Sequence, residues 1–229
     1  MLTGISSMAT RQLLAELATE YQGIHGEPVA VESIAGVEAA RRVRAGEAFD
    51  FAVLAADALD ALIASGHVVR SSRVEVARSA MAMAVRAGTA PPRIDDAAAL
   101  SAALLRAHRV GYSTGPSGTH LLRLFERWGV MEELRARLVQ APAGVPVGTL
   151  IARGEVDLGF QQLSELIHVH GIVVLDLPAE AQSFTIFSAG VCEVSRQPPE
   201  AAAFLGFLAS PGATPAKQRH GMEPPVTTG

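Results

Sequence analysis

Short apolar runs alternate along this chain with amphipathic runs of helical period, and that alternation confines it to an α/β fold assembled from βα units. A strand is predicted from Val29 to Glu32 with a helix from Val37 to Arg44. A buried strand follows from Phe49 to Leu54, with a helix from Leu59 to Ala64 that Ser65-Gly66 ends. Val74 to Arg86 reads as one long extended segment, buried from Met81 to Val85 and closed by a loop at Pro91-Pro92. Helices are then expected from Asp96 to His108, His120 to Trp128, Met131 to Leu138 and Pro146 to Arg153. Strands are expected from Val110 to Tyr112, Val156 to Gln162, Ile172 to Leu175 and Thr185 to Val194, before a final helix from Pro199 to Ala209. The tail after His220 should fray.

Hydroxyl-rich turns sit where several of these strands end. Gly111-Tyr112-Ser113-Thr114-Gly115-Pro116-Ser117-Gly118-Thr119 brings hydroxyls, glycines and backbone N–H groups together ahead of a helix, a chemistry that suits an anion. Gly4-Ile5-Ser6-Ser7 repeats it ahead of the amphipathic run from Met8 to Tyr21, and Ser33-Ile34-Ala35-Gly36 repeats it more weakly. In open α/β sheets ligands bind beyond the carboxyl ends of the strands, where all these turns fall. One small anion gripped from several sides is the expected ligand.

At 229 residues the chain can bury a core as one domain or as two lobes of about 100 residues each. Two lobes are preferred, and the chain is then expected to pass between them twice, around Ser79 to Val85 and around Phe184 to Val194. Hydrophobic residues make up 49% and charged residues 18%, which argues against disorder. A net charge of −4 gives no electrostatic footprint for nucleic acid, so no nucleic-acid partner is expected. No apolar run approaches the length of a membrane span. Cys192 is the only cysteine and excludes an intramolecular disulfide and any cysteine-based zinc site. As written, the chain opens without a secretory leader, which predicts a cytoplasmic protein, or a periplasmic one where a leader has been trimmed.

The Ser6-Ser7 turn, the stretch Arg44-Ala45-Gly46-Glu47-Ala48-Phe49-Asp50-Phe51-Ala52-Val53-Leu54, the turn from Tyr112 to Gly118 and Ala152-Arg153-Gly154-Glu155-Val156-Asp157-Leu158-Gly159-Phe160 together resemble the molybdate-type periplasmic solute-binding proteins. The resemblance covers nearly the whole chain. Leu62-Ile63-Ala64-Ser65-Gly66-His67-Val68 and Gly159-Phe160-Gln161-Gln162-Leu163-Ser164-Glu165-Leu166 are similar to the aconitate isomerase branch of that family. The resemblance implies a two-lobed α/β fold of the type II periplasmic-binding-protein kind, each lobe a mostly parallel sheet flanked by helices, with two crossing strands as hinge. It places lobe 1 at residues 1–79 plus 190–229 and lobe 2 at 80–189, with a ligand cleft between them. Ligand contacts are implied at Ser6 or Ser7, at Ser33 or Gly36, at Ser117 and Gly118, and at Val147 or Gly148. A tyrosine common in molybdate sites is replaced here by Gln162, whose amide suits a carboxylate as well as an oxyanion.

Each of these residues also has a plainer reading. Ser-Ser ahead of a helix is most often a cap, worth about 1 kcal/mol, and Gly-Pro-Ser-Gly is a common turn. Gln161 and Gln162 are neighbours on a strand and must face opposite sides, so one of them is expected to face the ligand. His168 and His170 lack a third partner, and no metal is expected. Arg41, Arg42 and Arg44 read as a solvated helix face; Arg11, one turn into the first helix, could reach a large carboxylate.

Two functions compete. In the first, a small oxyanion or carboxylate is bound unaltered by neutral donors and helix dipoles and, if the chain is exported, delivered to an ABC permease. In the second, a cofactor-free isomerase moves a double bond within a tricarboxylate, with His120 as proton shuttle and Glu165 behind it. A sensory module ranks third. No cofactor is implied, and a monomer is expected.

Overall fold

The computed structural model describes residues 1–225. In chain order its elements are β1 (Leu2–Ser7), α1 (Arg11–His25), β2 (Val29–Ile34), α2 (Gly36–Arg44), β3 (Phe51–Ala55), α3 (Ala56–Ala64), β4 (Val74–Arg86), α4 (Ala97–Arg106), β5 (Val110–Tyr112) and α5 (Pro116–Arg127). They continue with α6 (Met131–Leu134), β6 (Leu138–Gln140), α7 (Val147–Ala152), β7 (Leu158–Gln162), α8 (Leu163–Leu166), β8 (Ile172–Asp176), β9 (Phe184–Val191), α9 (Pro198–Ala209) and α10 (Thr214–Arg219). The chain divides into two compact units, Met1–Ser79 with the segment from Ile186 onward, and Ala80–Thr185. β4 and β9 each run from one unit into the other.

In the first unit β1 pairs in parallel with β2 on one side and β3 on the other, and β9 runs antiparallel against β3. Every residue of β3 is buried. Its side chains divide by the two-residue period of a strand: Phe51, Val53 and Ala55 join Leu13, Leu14 and Leu17 of α1 and Phe204 of α9, while Ala52 and Leu54 join Ala39, Val43 and Leu62 of α2 and α3. The Phe51 ring lies directly over its cross-strand neighbour Gly4, where an added Cβ would stand 2.2 Å from it. That missing side chain lets the largest residue of β3 lie flat against β1.

Asp50 fastens this unit. Its carboxylate accepts bonds from the backbone N–H of Thr3 (2.9 Å), the Thr3 hydroxyl (3.2 Å) and the Ser195 hydroxyl (2.8 Å). One side chain thereby joins β1, the approach to β3 and the chain beyond β9. Burial alone would raise its pKa; the bonds from Thr3 and Ser195 outweigh burial and hold it below the ordinary aspartate range.

In the second unit β5 lies between β6 and β7 in parallel, β4 runs antiparallel to β7, and β8 pairs with the far side of β4. The alternation Met81-Ala82-Met83-Ala84-Val85 sorts large from small residues. Met81, Met83 and Val85 pack with Leu100, Leu121 and Phe125 of α4 and α5, and Ala82 and Ala84 pack with Val147, Leu150 and Ile151 of α7. Gly111 and Gly159 are cross-strand partners on the same small side. A Cβ on Gly159 would come within 2.5 Å of Val147 Cγ1, and one on Gly111 within 2.9 Å. The start of α7 therefore rests directly on the sheet.

Three sequence expectations need correction. The helix expected from His120 begins at Pro116, since proline is well suited to the first turn, so Ser117 and Gly118 lie inside α5. The helix expected from Met131 to Leu138 stops at Leu134, and Leu138 instead pairs with Val110 as the first residue of β6. Cross-strand pairing there overrides helical periodicity. The tail is anchored well past His220: Met222 is buried, and Arg78 and Glu223 exchange backbone hydrogen bonds and form an ion pair. The remainder of that expectation, residues 226–229, lies outside the described residues.

Asp50→Ala is expected to destabilise the protein by about 2–3 kcal/mol at pH 7, the scale of hydrogen bonds to a buried charged group. Because the folded pKa is depressed, this contribution is complete above the unfolded aspartate value of about 3.9 and is lost as pH falls through the folded value. Urea unfolding of parent and variant should therefore converge in acid and separate at neutral pH.

Candidate functional site

The polar side chains of the first unit gather at the C-terminal ends of its parallel strands. Ser6 on β1 stands opposite Ser33 on β2, and their hydroxyls are 2.8 Å apart. Ser7 is buried and its hydroxyl meets no partner. Gly36, the first residue of α2, lies beside it, and a Cβ there would be 3.5 Å from the Ser7 Cβ. Successive residues of a strand face opposite sides, so Ser6 and Ser33 look toward α1 and Ser7 toward α2. Ser188 on β9, paired with Leu54, is another buried hydroxyl without a partner.

In the second unit the chain leaves β5 into a tight turn. Ser113 Oγ and Ser117 Oγ are 2.9 Å apart, and Ser113 Oγ also accepts the Gly115 N–H at 3.3 Å. Both serines are at least nine-tenths buried. The turn depends on Gly118, whose added Cβ would stand 1.9 Å from the Ser113 carbonyl oxygen. Each hydroxyl carries one proton. Two hydroxyls bonded to each other use one of these, so the Ser113–Ser117 pair keeps an O–H for an acceptor; in the other pair the Ser6 hydroxyl also donates to the Ser7 carbonyl oxygen at 3.3 Å. Among the described residues no cationic side chain bonds to either pair. Donors of this kind suit an anion that is already ionised.

The glutamines of β7 point to opposite sides as the pleat requires, and both are buried. Gln161 Oε1 accepts the backbone N–H of Val147 at 2.7 Å, and its Nε2 donates to Glu165 at 2.8 Å. Gln162 Nε2 donates to the Thr185 hydroxyl at 2.6 Å while its Oε1 is buried without a partner. Val147, Gln161 and Glu165 thus form one hydrogen-bonded chain, with Gly148 held against Val169 and Ile172. Burial lifts the Glu165 carboxyl to about 7, against the smaller opposing influence of Gln161. The residue as a whole keeps partial exposure. His120 is pushed below its usual range by burial, against the pull of the Ala181 carbonyl to which its ring donates. Its Nε2 is buried and free of partners. No hydrogen bond joins His120 to Glu165.

The structure places Ser6 with Ser33, Ser7 with Gly36, Ser117 with Gly118, and Val147 with Glu165. Sequence reading passed over Ser113 as a partner for Ser117, Gln161 as the group that satisfies Val147, and Thr185 and Ser188. The four-residue spacing of Ser113 and Ser117 across Gly115-Pro116 was the available signal. Ser188 offered none. His168 and His170 are exposed, Arg41 and Arg42 are engaged by Glu38, Glu32 and Glu47, and no group of metal-ligating side chains gathers among the described residues.

A family model for bacterial extracellular solute-binding proteins matches residues 2–223, and the chain belongs to that family. It is 38% identical over 230 residues to an aconitate isomerase of Pseudomonas sp, an alignment covering 97% of this chain and 87% of that protein. Among solved structures it is similar to the periplasmic molybdate-binding protein of Azotobacter vinelandii, with a TM-score of 0.84 at 19% identity over 98% of this chain and 100% of that one. The sulfate-binding protein SubI of Mycobacterium tuberculosis gives 0.81 at 15% identity over 99% and 87% of the two chains. The fold is that of the type II periplasmic binding proteins, as the sequence resemblance implied. Among the described residues no helix is long and apolar enough to cross a membrane.

Gly118→Ala should break the turn at Ser113, lower Tm and abolish the Ser113–Ser117 pair. An unchanged Tm by differential scanning fluorimetry would show that the turn yields without cost.

Proposed function

We propose that this protein binds a small anion, an oxyanion or a small carboxylate, through neutral donors. The observation that carries this reading is the buried hydroxyl couple of Ser113 with Ser117, which keeps a spare O–H, together with the part-buried couple of Ser6 with Ser33. Both lie where parallel strands end and helices begin, the position at which backbone N–H groups and helix dipoles add to the attraction. Membership in a solute-binding family supports it. On this reading the bound anion is released unaltered to an ABC permease outside the cytoplasmic membrane, and the protein works as a monomer.

Ser117→Ala should weaken anion binding by about 1–2 kcal/mol, the scale of one charge-assisted hydrogen bond, and Ser6→Ala should act in the same direction. Titration calorimetry with molybdate, sulfate, citrate and the aconitates measures both. Unaltered affinity in both variants would overturn the placement of the ligand.

Specific observations favour a second reading. The relative at 38% identity is an aconitate isomerase, and this chain carries a carboxyl at Glu165 pushed up to about 7 and a neutral imidazole at His120. A carboxyl with that value can take a proton at neutral pH and give it back, and an imidazole whose affinity burial has lowered gives one up readily. In the isomerase reading one base removes a proton from a carbon next to a carboxylate, the electron pair moves across to shift the double bond, and a proton is returned two carbons away. Nothing is gained or lost, so no redox partner is required.

Proton NMR of cis-aconitate and trans-aconitate held with the protein separates the readings. If Glu165 exchanges the proton, turnover should follow an apparent pKa near 7 that disappears in Glu165→Gln. His120→Ala should leave binding measurable and remove turnover. Unchanged spectra with the parent protein, together with a raised Tm in either aconitate, would establish binding alone.

A further inference from the structure

The Ser6–Ser33 couple opens onto a feature that neither reading uses. Between α1 and the edge strand β2 runs an open groove of about 470 Å³. Leu14, Ala15 and Ala18 line it from the helix and Val31 and Ser33 from the strand, with Arg11 among the helix residues at its wall. α1 presents these residues because positions 11, 14, 15 and 18 fall on one face of a helix, and β2 presents alternate residues on the facing side. No aspartate or glutamate lines the groove.

Arg11 differs in setting from Arg41, Arg42 and Arg219, and resembles Arg44 at the end of α2, which also has no ion pair among the described residues. Arg41 is held by Glu38, Arg42 by Glu32 and Glu47, and Arg219 by Glu16. Arg11 has no ion pair and no side-chain hydrogen bond among the described residues. Its guanidinium is an uncommitted cation in a groove whose other wall carries the Ser33 hydroxyl, and that hydroxyl is already bonded to Ser6. A compact tetrahedral anion satisfied by hydroxyls and N–H groups carries its charge on one group and has no distant charged group to place. A ligand with carboxylates several bonds apart does.

We propose that the groove between α1 and β2 receives the distal carboxylate of a polycarboxylate ligand, with Arg11 as its ion-pair partner and the residue that selects polycarboxylates over compact oxyanions. This rests on the small-anion reading above and adds the ligand class to it. The guanidinium fork can meet a carboxylate through two parallel N–H bonds, a geometry that a lysine does not reproduce. Apolar Leu14, Ala18 and Val31 along the floor suit the carbon skeleton between the charges.

The test is titration calorimetry of the parent, Arg11→Ala, Arg11→Lys and Ala15→Trp with citrate, acetate, sulfate and molybdate. Arg11→Ala should weaken citrate binding on the order of tenfold, as loss of a charge-assisted pair at a solvated site does, and leave the compact anions within about twofold, the scale of an interaction it does not make. Arg11→Lys should restore only part of the loss, and Ala15→Trp should mimic Arg11→Ala by filling the groove. Citrate affinity unchanged in both Arg11→Ala and Ala15→Trp overturns the groove assignment, as does an equal loss for citrate and the compact anions. If Ser117→Ala weakens citrate while the groove variants do not, the anion reading stands and this inference alone fails. If the parent binds none of these anions, both fail.

Discussion

A strand buried on both faces leaves little room for polar side chains along its length, and this constraint shapes both units. β3 and β7 are buried at every residue, and the sheets carry helices on either side. Most of the buried hydroxyls and amides of the strands enter where a strand runs out into a turn, Ser79 within β4 and Ser188 within β9 being the exceptions. Ser6 and Ser7 close β1, Ser33 lies at the end of β2, Ser113 follows β5, and Gln161 and Gln162 end β7. Parallel pairing brings several of these ends to the same edge of each sheet, so the arrangement that fills the core also collects the donors.

Close approach is then a matter of missing side chains. Gly4 admits the Phe51 ring, Gly111 and Gly159 admit Val147, and Gly118 admits the Ser113 carbonyl. The first of these fits the core together; the others set the polar groups. Because α7 rests on the sheet, the Val147 N–H reaches the Gln161 amide, and that amide in turn faces Glu165. A buried amide that accepts on one side and donates on the other has its orientation fixed from both sides. The carboxyl that ends this chain receives one hydrogen bond and no ion pair, which leaves burial to set its proton affinity.

Much of the architecture was legible because the chain's periodicities are strong. Met-Ala-Met-Ala-Val in β4 announces a strand with a large face and a small one, and the structure puts α4 and α5 over the first and α7 over the second. The hydroxyl-rich turns announced themselves by composition. What could not be read is whatever depends on contacts distant in sequence. Leu138 becomes a strand residue only because Val110 is beside it, and Met222 becomes core only because Arg78 holds Glu223. Gln161 looked like half of an ambiguous pair on a strand; its role as the acceptor for Val147 emerges only once α7 is in place. Ser113 sits one residue beyond an expected strand and four before Ser117, and its hydroxyl pairs with Ser117 only because Gly118 lets the helix start so close.

Binding and isomerisation make different demands on the same frame. An anion held by hydroxyls needs donors with spare protons and no group that changes charge near neutrality, since such a group would make affinity swing with pH. The Ser113–Ser117 couple meets the first demand. Glu165 bears on the second, since burial pushes its carboxyl up to about 7. Replacing it by an isosteric amide would keep the hydrogen bond to Gln161 and remove the titration, so retention of the carboxyl costs the fold a desolvated acid without any gain in packing. Such a group earns a place where a proton must be taken and returned. Either task would draw on the same hydroxyls at the strand ends.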